Sequence, residues 1–198
     1  MDKHRYFVIN KPYDMVSQFI STHDLRLLGA MNFSFPEGIH AIGRLDKNSE
    51  GLLLLTTNKK ITRLLFQGKL PHARKYLIQV RGIVTEATLA LLRMGVSIEI
   101  KGGVQYMTQP CDVSIVEKPV KLFSSGYELH ERVPNSWLEI TLTEGKFHQI
   151  RKMVSAVRHP CKRLIRISIE DLSLDGLMPG EVRELGEEEF FQKLKLQD

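Results

Sequence analysis

The feature that most constrains the fold is a polar loop set directly against an unbroken apolar run. Gly43-Arg44-Leu45-Asp46-Lys47-Asn48-Ser49-Glu50-Gly51 is bracketed by glycines, and Leu52-Leu53-Leu54-Leu55-Thr56-Thr57-Asn58 follows. An apolar run of that length between turn signals suits a strand buried on both faces, so the rest of the chain must cover it twice. His40-Ala41-Ile42 is a short β-prone approach. Asp46 is then expected on a loop fixed by rigid flanking structure yet open to a substrate, with Arg44 nearby as a partner. On these residues alone, the plainer account is a β-hairpin whose turn happens to be charged.

Around that centre the sequence predicts irregularly interleaved strands and helices. Tyr6-Phe7-Val8-Ile9 reads as a first strand, stopped by Asn10-Lys11-Pro12. The stretch 17–38 is weakly patterned and expected to be irregular. Asn58 is placed to cap a helix from Ile61 to Gln67, ended by Gly68, and Tyr76–Arg81 reads as a strand closed by Gly82. Thr85 opens a helix through Met94, with Leu89, Leu92 and Val96 inward and Gly95 at its end. Strands are expected at 112–116 and 137–143, where Leu138, Ile140 and Leu142 alternate with polar residues, and 117–134 reads as a polar loop. Ile150, Met153, Val154 and Val157 give a helix from Gln149 to Arg158 one apolar face, and Leu164–Ile169 is a further strand. Past Pro179-Gly180 only a short acidic segment is expected. Without βαβ regularity, this is an α+β chain with a mixed, mostly antiparallel sheet. At 198 residues, with no repeat or linker, residues 1–198 read as one domain.

Charge points to a polyanion. The formal net charge is +5, and the excess is segregated: residues 146–166 carry Lys146, Arg151, Lys152, Arg158, Lys162, Arg163 and Arg166 and no acid. Glu181, Glu184 and Glu187–Glu189 compensate near the end. One face built for a polyanion is the expectation, against the alternative of an ordinary solvated basic face. Cys111 and Cys161 lack disulfide or metal-site arithmetic and are expected as buried thiols, and the seven histidines form no metal-binding pattern. No apolar run is long enough for a membrane span, and the first residues lack a signal-peptide core, so a cytoplasmic protein is expected.

Gly43-Arg44-Leu45-Asp46 with Ser49-Glu50-Gly51-Leu52-Leu53-Leu54-Leu55-Thr56-Thr57-Asn58 resembles the catalytic signature of pseudouridine synthases, and within them the RsuA family that modifies bacterial ribosomal RNA. Lys11-Pro12-Tyr13-Asp14 is similar to the family's first motif. Arg74-Lys75-Tyr76, with Val80-Arg81-Gly82, is similar to the segment bearing its active-site tyrosine. Glu144-Gly145-Lys146-Phe147-His148-Gln149-Ile150-Arg151-Lys152-Met153 is similar to the late motif with its active-site arginine. Leu164-Ile165-Arg166, Ser173-Leu174-Asp175 and Gly180-Glu181 resemble its C-terminal end. Most members carry an N-terminal S4-type RNA-binding domain. Here the catalytic pattern begins within ten residues of Met1, which resembles the members acting on large-subunit (23S) ribosomal RNA.

The resemblance implies the pseudouridine synthase fold and the chemistry that goes with it. Uridine loses its C–N glycosidic bond, the uracil turns, and its C5 joins the ribose. Nothing is oxidised or hydrolysed overall, so no cofactor is expected. The resemblance makes Asp46 the catalytic carboxylate and Arg151 the counter-charge that keeps it ionised, since a buried carboxylate alone tends toward neutrality. It makes Tyr76 the ring that stacks on the extruded base, with a part in removing the C5 proton. Lys11, Arg44, Arg74, Lys75, Lys146, His148, Lys152, Arg163 and Arg166 are the expected RNA contacts, with Lys146 standing where an arginine is common. Glu50 is expected to be structural. The partner implied is large-subunit ribosomal RNA, met by a monomer. A non-catalytic ribosome-assembly factor of the same fold is the alternative. A metal-dependent nuclease is disfavoured because no carboxylate or histidine cluster is present.

Overall fold

The computed structural model describes residues 3–67, 71–125 and 127–196. The expected stop at Gly68 lies outside the described residues. In chain order the first elements are β1 (Tyr6–Lys11), β2 (His40–Ile42), β3 (Glu50–Thr56), α1 (Ile61–Gln67) and β4 (Arg74–Arg81). Next come α2 (Glu86–Met94), β5 (Ser97–Glu99), β6 (Gln105–Met107), β7 (Asp112–Val116) and β8 (Asn135–Leu142). The last are α3 (Gln149–Ala156), β9 (Cys161–Ile169), β10 (Leu172–Ser173), β11 (Val182–Leu185) and α4 (Glu187–Lys193). The chain forms two compact units, Met1–His72 with Ile165–Asp198, and Ala73–Leu164.

In the first unit, β1 lies between β11 and β3, β2 pairs with β3, and β10 with β9. These ladders are antiparallel, whereas β3 runs parallel to β9. The expectation of a strand covered on both faces is met, because every residue of β3 is buried. Leu52 and Leu54 join Tyr6, Val8, Ile61, Leu65, Phe190 and Leu194 in one core, so α1 and α4 lie on that side. On β1 the neighbouring Phe7 points the other way, against Phe33 and Phe35 at ring-centroid distances of 5.8 and 6.5 Å. The irregular stretch 17–38, which contains only a 3-10 turn at Leu28–Ala30, therefore supplies the second cover. Each of Leu52–Leu55 is fully buried, which stabilises the fold by about 2 kcal/mol per side chain.

The parallel pairing depends on Gly51. Its φ is +103°, and a Cβ there would sit 2.3 Å from the carbonyl oxygen of Arg166 and 2.8 Å from its nitrogen. Backbone cannot yield as a side chain would. Gly51→Ala is expected to lower stability by about 2–4 kcal/mol, from left-handed strain plus overpacking, as read by urea unfolding. A change below about 0.5 kcal/mol, the size of an ordinary surface substitution, would contradict this account.

In the second unit β8 lies between β4 and β7, with full antiparallel registers such as Tyr76↔Ile140 and Val113↔Ile140. Ile78, Val80, Leu138 and Ile140 pack with Leu89 and Leu92 of α2 and with Ile150, Met153 and Val154 of α3. Thr85 caps α2 by accepting from Thr88 N, and Gly95 ends it, as expected. Helix α3 stops at Ala156, two residues short of the predicted end. Arg158 adopts a left-handed conformation, Arg158 N donates to Ser155 O and His159 N to Val154 O. That is a Schellman cap, with arginine in the place glycine usually takes.

Several elements were not legible as such. The β5–β6 hairpin turns through Gly102 and Gly103, both at positive φ. Strand β11 pairs with β1. The acidic terminal segment is helix α4, whose first-turn Glu187, Glu188 and Glu189 favour the positive end of the helix dipole while Phe190 and Leu194 enter the core. Among the described residues, no helix is long and apolar enough to cross a membrane.

Candidate active site

Asp46 lies half-buried in the loop between β2 and β3. That loop is pinned at several points. Leu45 is buried, its N–H donates to Ser17 Oγ at 3.0 Å, and Ser17 Oγ donates to Leu45 O at 2.9 Å. Ser49 N donates to Asp46 O at 3.0 Å, closing a turn, and Lys47 pairs with Asp14 at 3.0 Å. The expected carboxylate is thus carried on a stretch whose backbone is fixed on both sides of it. Arg44 is exposed.

Beneath the loop sits a residue whose role the sequence misassigned. Lys11 was expected on RNA, but it is fully buried and has no surface to offer a phosphate. Its Nζ donates to Met15 O at 2.6 Å and Pro12 O at 2.9 Å, and reaches Lys47 O at 3.5 Å. One ammonium therefore ties the lysine-proline turn to the loop that carries Asp46. Burial pushes the Lys11 pKa down to about 8; the carboxylates of Glu50, Asp46 and Asp14 oppose that shift and Arg166 reinforces it. Glu50 is itself buried at the start of β3.

The depressed lysine makes a signed prediction. Its ordinary pKa is 10.5 and its folded value about 8. Between those pH values the unfolded chain holds a proton that the folded chain has released, so the lysine's contribution to stability rises with pH across that window. Wild type is expected to gain stability relative to Lys11→Met between pH 7.5 and 9.5 in paired urea melts. A constant or shrinking difference would contradict the burial of an ammonium here.

Arg163 and Arg166 also leave the list of RNA contacts. Arg163 is fully buried, donating to Glu128 Oε2 at 2.7 Å and to Phe123 O at 2.9 Å. Arg166 is buried, its Nε donating to Leu52 O at 2.8 Å. Consecutive residues of β9 alternate in direction and both faces near its middle are buried, so the basic run 146–166 does not form one continuous face. Its exposed or half-buried members are Lys146, Arg151, Lys152, Arg158 and Lys162.

In the second unit the remaining candidates gather at one end of the sheet. Tyr76 is half-buried on β4 and packs against the core of this unit. Arg74 precedes it by two residues, on the same side of the strand. The Arg74 guanidinium lies over Gly145, where a Cβ would come within 3.1 Å of Nη1. Its Nε is buried with no hydrogen-bond partner among the described residues. Lys75 pairs with Glu139 at 2.9 Å.

The late motif itself is anchored by Glu144, which the sequence reading passed over. Its carboxylate accepts from Tyr106 OH at 2.5 Å, Gln109 N at 2.9 Å and Gln149 Nε2 at 2.6 Å. Burial alone would raise its pKa, but these donors and Lys146 together hold it below the usual carboxylate range. Gln149 Oε1 in turn accepts from Lys146 N at 2.8 Å, and Lys146 Nζ sits 4.6 Å from the Tyr106 ring centroid. Lys152 Nζ donates to Glu99 O at 2.6 Å. Arg151 is half-buried, next along α3, and its charge partly offsets the burial that pushes the Cys161 thiol up to about 11. Cys111 is likewise pushed up to about 11 by burial, so neither cysteine is a thiolate nucleophile at neutral pH.

The structure thus gathers Lys11, Glu50 and Asp46 in the first unit, and Arg74, Tyr76, Lys146, His148, Arg151 and Lys152 in the second. The sequence profile of the RNA pseudouridylate synthase family matches residues 5–156. The ribosomal large subunit pseudouridine synthase E of Vibrio vulnificus is 37% identical over 183 residues, covering 91% of this chain and 75% of that protein. The protein of the same name from Xanthomonas axonopodis pv. citri is 34% identical, over 87% of this chain and 89% of its own. A crystal structure of a pseudouridylate synthase superposes with a TM-score of 0.78 at 25% identity, covering 98% of this chain and 75% of that one. Matched across most of its length in sequence as in fold, the chain belongs to the RNA pseudouridylate synthase family.

Proposed function

We propose that this protein isomerises a uridine of large-subunit (23S) ribosomal RNA to pseudouridine, acting as a cytoplasmic monomer without a cofactor. The observation that carries the reading is Asp46, a carboxylate on a loop fixed by Ser17, Lys11 and the Asp46–Ser49 turn. Isomerisation needs that geometry: a carboxylate that stays in place while the base leaves the sugar, turns and rejoins through C5. The substrate class comes from relatives named for the large subunit.

Asp46 is the catalytic carboxylate, Arg151 supplies the counter-charge that favours its ionised form, and Tyr76 stacks on the extruded uracil. Arg44, Arg74, Lys75, Lys146, His148 and Lys152 hold the RNA backbone. Lys11 acts through the loop and touches no RNA. The test is to incubate the purified protein with unmodified 23S transcript, then map pseudouridines by carbodiimide-adduct primer extension. One new stop, unaffected by EDTA, is the expected result. No stop on naked RNA or on pre-ribosomal particles would favour the alternative of a non-catalytic assembly factor.

A further inference from the structure

Phe147 has no task in the fold. It is 70% exposed although it belongs to the late motif, whose next apolar residues Ile150, Met153 and Val154 are all buried. It belongs to neither hydrophobic core. Its position before the His148 cap, five residues ahead of Lys152, is that of a hydrophobic staple to helix α3. A staple, however, would bury the ring against the fourth helical residue. Here that residue is a lysine, and the ring stays in solvent.

What the ring does have is a partner of the right shape. His148 adopts a left-handed conformation (φ 55°), a sharp turn for two successive side chains that would diverge on an extended backbone. The Phe147 and His148 rings stack, 3.8 Å between centroids and 18° between planes. Lys152 Nζ lies 5.6 Å from the Phe147 centroid, and Lys146, exposed, adjoins it in the chain. A flat, preorganised aromatic pair with one ring largely exposed, here Phe147 over a half-buried His148, flanked by cations on a rigid turn, is how proteins hold unpaired nucleobases.

We propose that Phe147, stacked on His148, is a docking platform for an unpaired base of the RNA that flanks the target uridine. The inference rests on the RNA-modifying reading above. The pair holds a neighbouring base by stacking, while Lys146 and Lys152 meet its phosphates, and it takes no part in bond making.

The test measures binding in the Asp46→Asn background, so that turnover does not enter. Wild type at position 147, Phe147→Ala, Phe147→Leu and Phe147→Tyr are titrated into a fluorescein-labelled single-stranded RNA dodecamer of mixed sequence and into the same sequence as a duplex. Loss of one stacked base costs roughly tenfold in affinity. Phe147→Ala and Phe147→Leu should therefore weaken single-strand binding about tenfold, Phe147→Tyr should stay within twofold, and duplex binding should not change. All four should melt at the same temperature. Single-strand binding within twofold for Phe147→Ala or Phe147→Leu, an equal loss on the duplex, or no single-strand binding by the phenylalanine protein would each overturn the platform. An enzymatically inactive wild type would instead overturn the proposed function and leave this comparison readable.

Discussion

Asp46→Asn is expected to remove pseudouridine formation altogether, a fall in turnover of at least roughly a thousandfold, the scale on which a nucleophile or its orienting carboxylate is felt. RNA affinity should change less than about twofold. The substitution keeps the size and planarity of the side chain, removes its charge and turns one acceptor oxygen into an NH2 donor. The backbone of the loop keeps anchors that the substitution leaves in place. Leu45 remains pinned by Ser17, and the turn closes through the backbone oxygen of residue 46. Folded structure and RNA contacts therefore survive while the chemistry does not. Turnover measured by pseudouridine mapping and affinity measured by filter binding separate the two effects. Retained turnover would show that Asp46 is an ordinary turn residue.

The second large effect is on stability, at Glu128. The fully buried Arg163 guanidinium donates to the Glu128 carboxylate and sits 4.9 Å from the Phe123 ring centroid. Glu128 also meets Lys118, but that lysine is 44% exposed. Deleting the carboxylate strips a buried charge of its counter-ion, which costs about 3–5 kcal/mol and lowers Tm by roughly 10 °C in a chain of this length. Lys118→Ala, at the wet end of the same carboxylate, should cost less than about 1 kcal/mol. Replacing both members, Glu128→Leu with Arg163→Met, should cost less than Glu128→Ala alone, because no charge is then left buried. Calorimetry on the three variants checks the order. A Glu128→Ala protein as stable as Lys118→Ala would contradict the buried pair.

The strength of these expectations follows from how the sequence encodes the molecule. The central strand was legible because four leucines between Gly51 and the polar Thr57-Asn58 admit few other fates, and all four are fully buried. Both α2 and β8 were legible because local signals agree with the element: Thr85 and Gly95 bracket one, and the alternation of Leu138, Ile140 and Leu142 marks the other. What the sequence did not show was which basic residues are buried. Lys11, Arg163 and Arg166 look on paper like the exposed Lys146 and Lys162, since nothing local distinguishes a cation that turns inward from one that stays at the surface. The difference is made by residues distant in sequence: Met15 and Lys47 for Lys11, Glu128 and Phe123 for Arg163, Leu52 for Arg166.

The site shows the same division. Asp46, Tyr76 and Arg151, the proposed catalytic residues, were picked out by motif. The parts that hold the motif in place were not. Glu144 gathers Tyr106, Gln109 and Gln149 from separate stretches of the chain, a convergence with no sequence signature beyond the glutamate itself. Phe147 was passed over for the opposite reason. An aromatic residue one place before a helix cap reads as core or staple, and only its exposure shows that it is neither.

The central claim is that this chain exchanges a C–N for a C–C bond at uridine through Asp46. The most direct measurement is tritium release from 23S transcript labelled as [5-³H]uridine, because C5 loses its hydrogen only when it joins the ribose. Wild type should release tritium to a plateau of one uridine per transcript, with EDTA present, and Asp46→Asn should release none above the no-enzyme control. Equal release by both proteins, or none by wild type on free or pre-ribosomal RNA, would contradict the account.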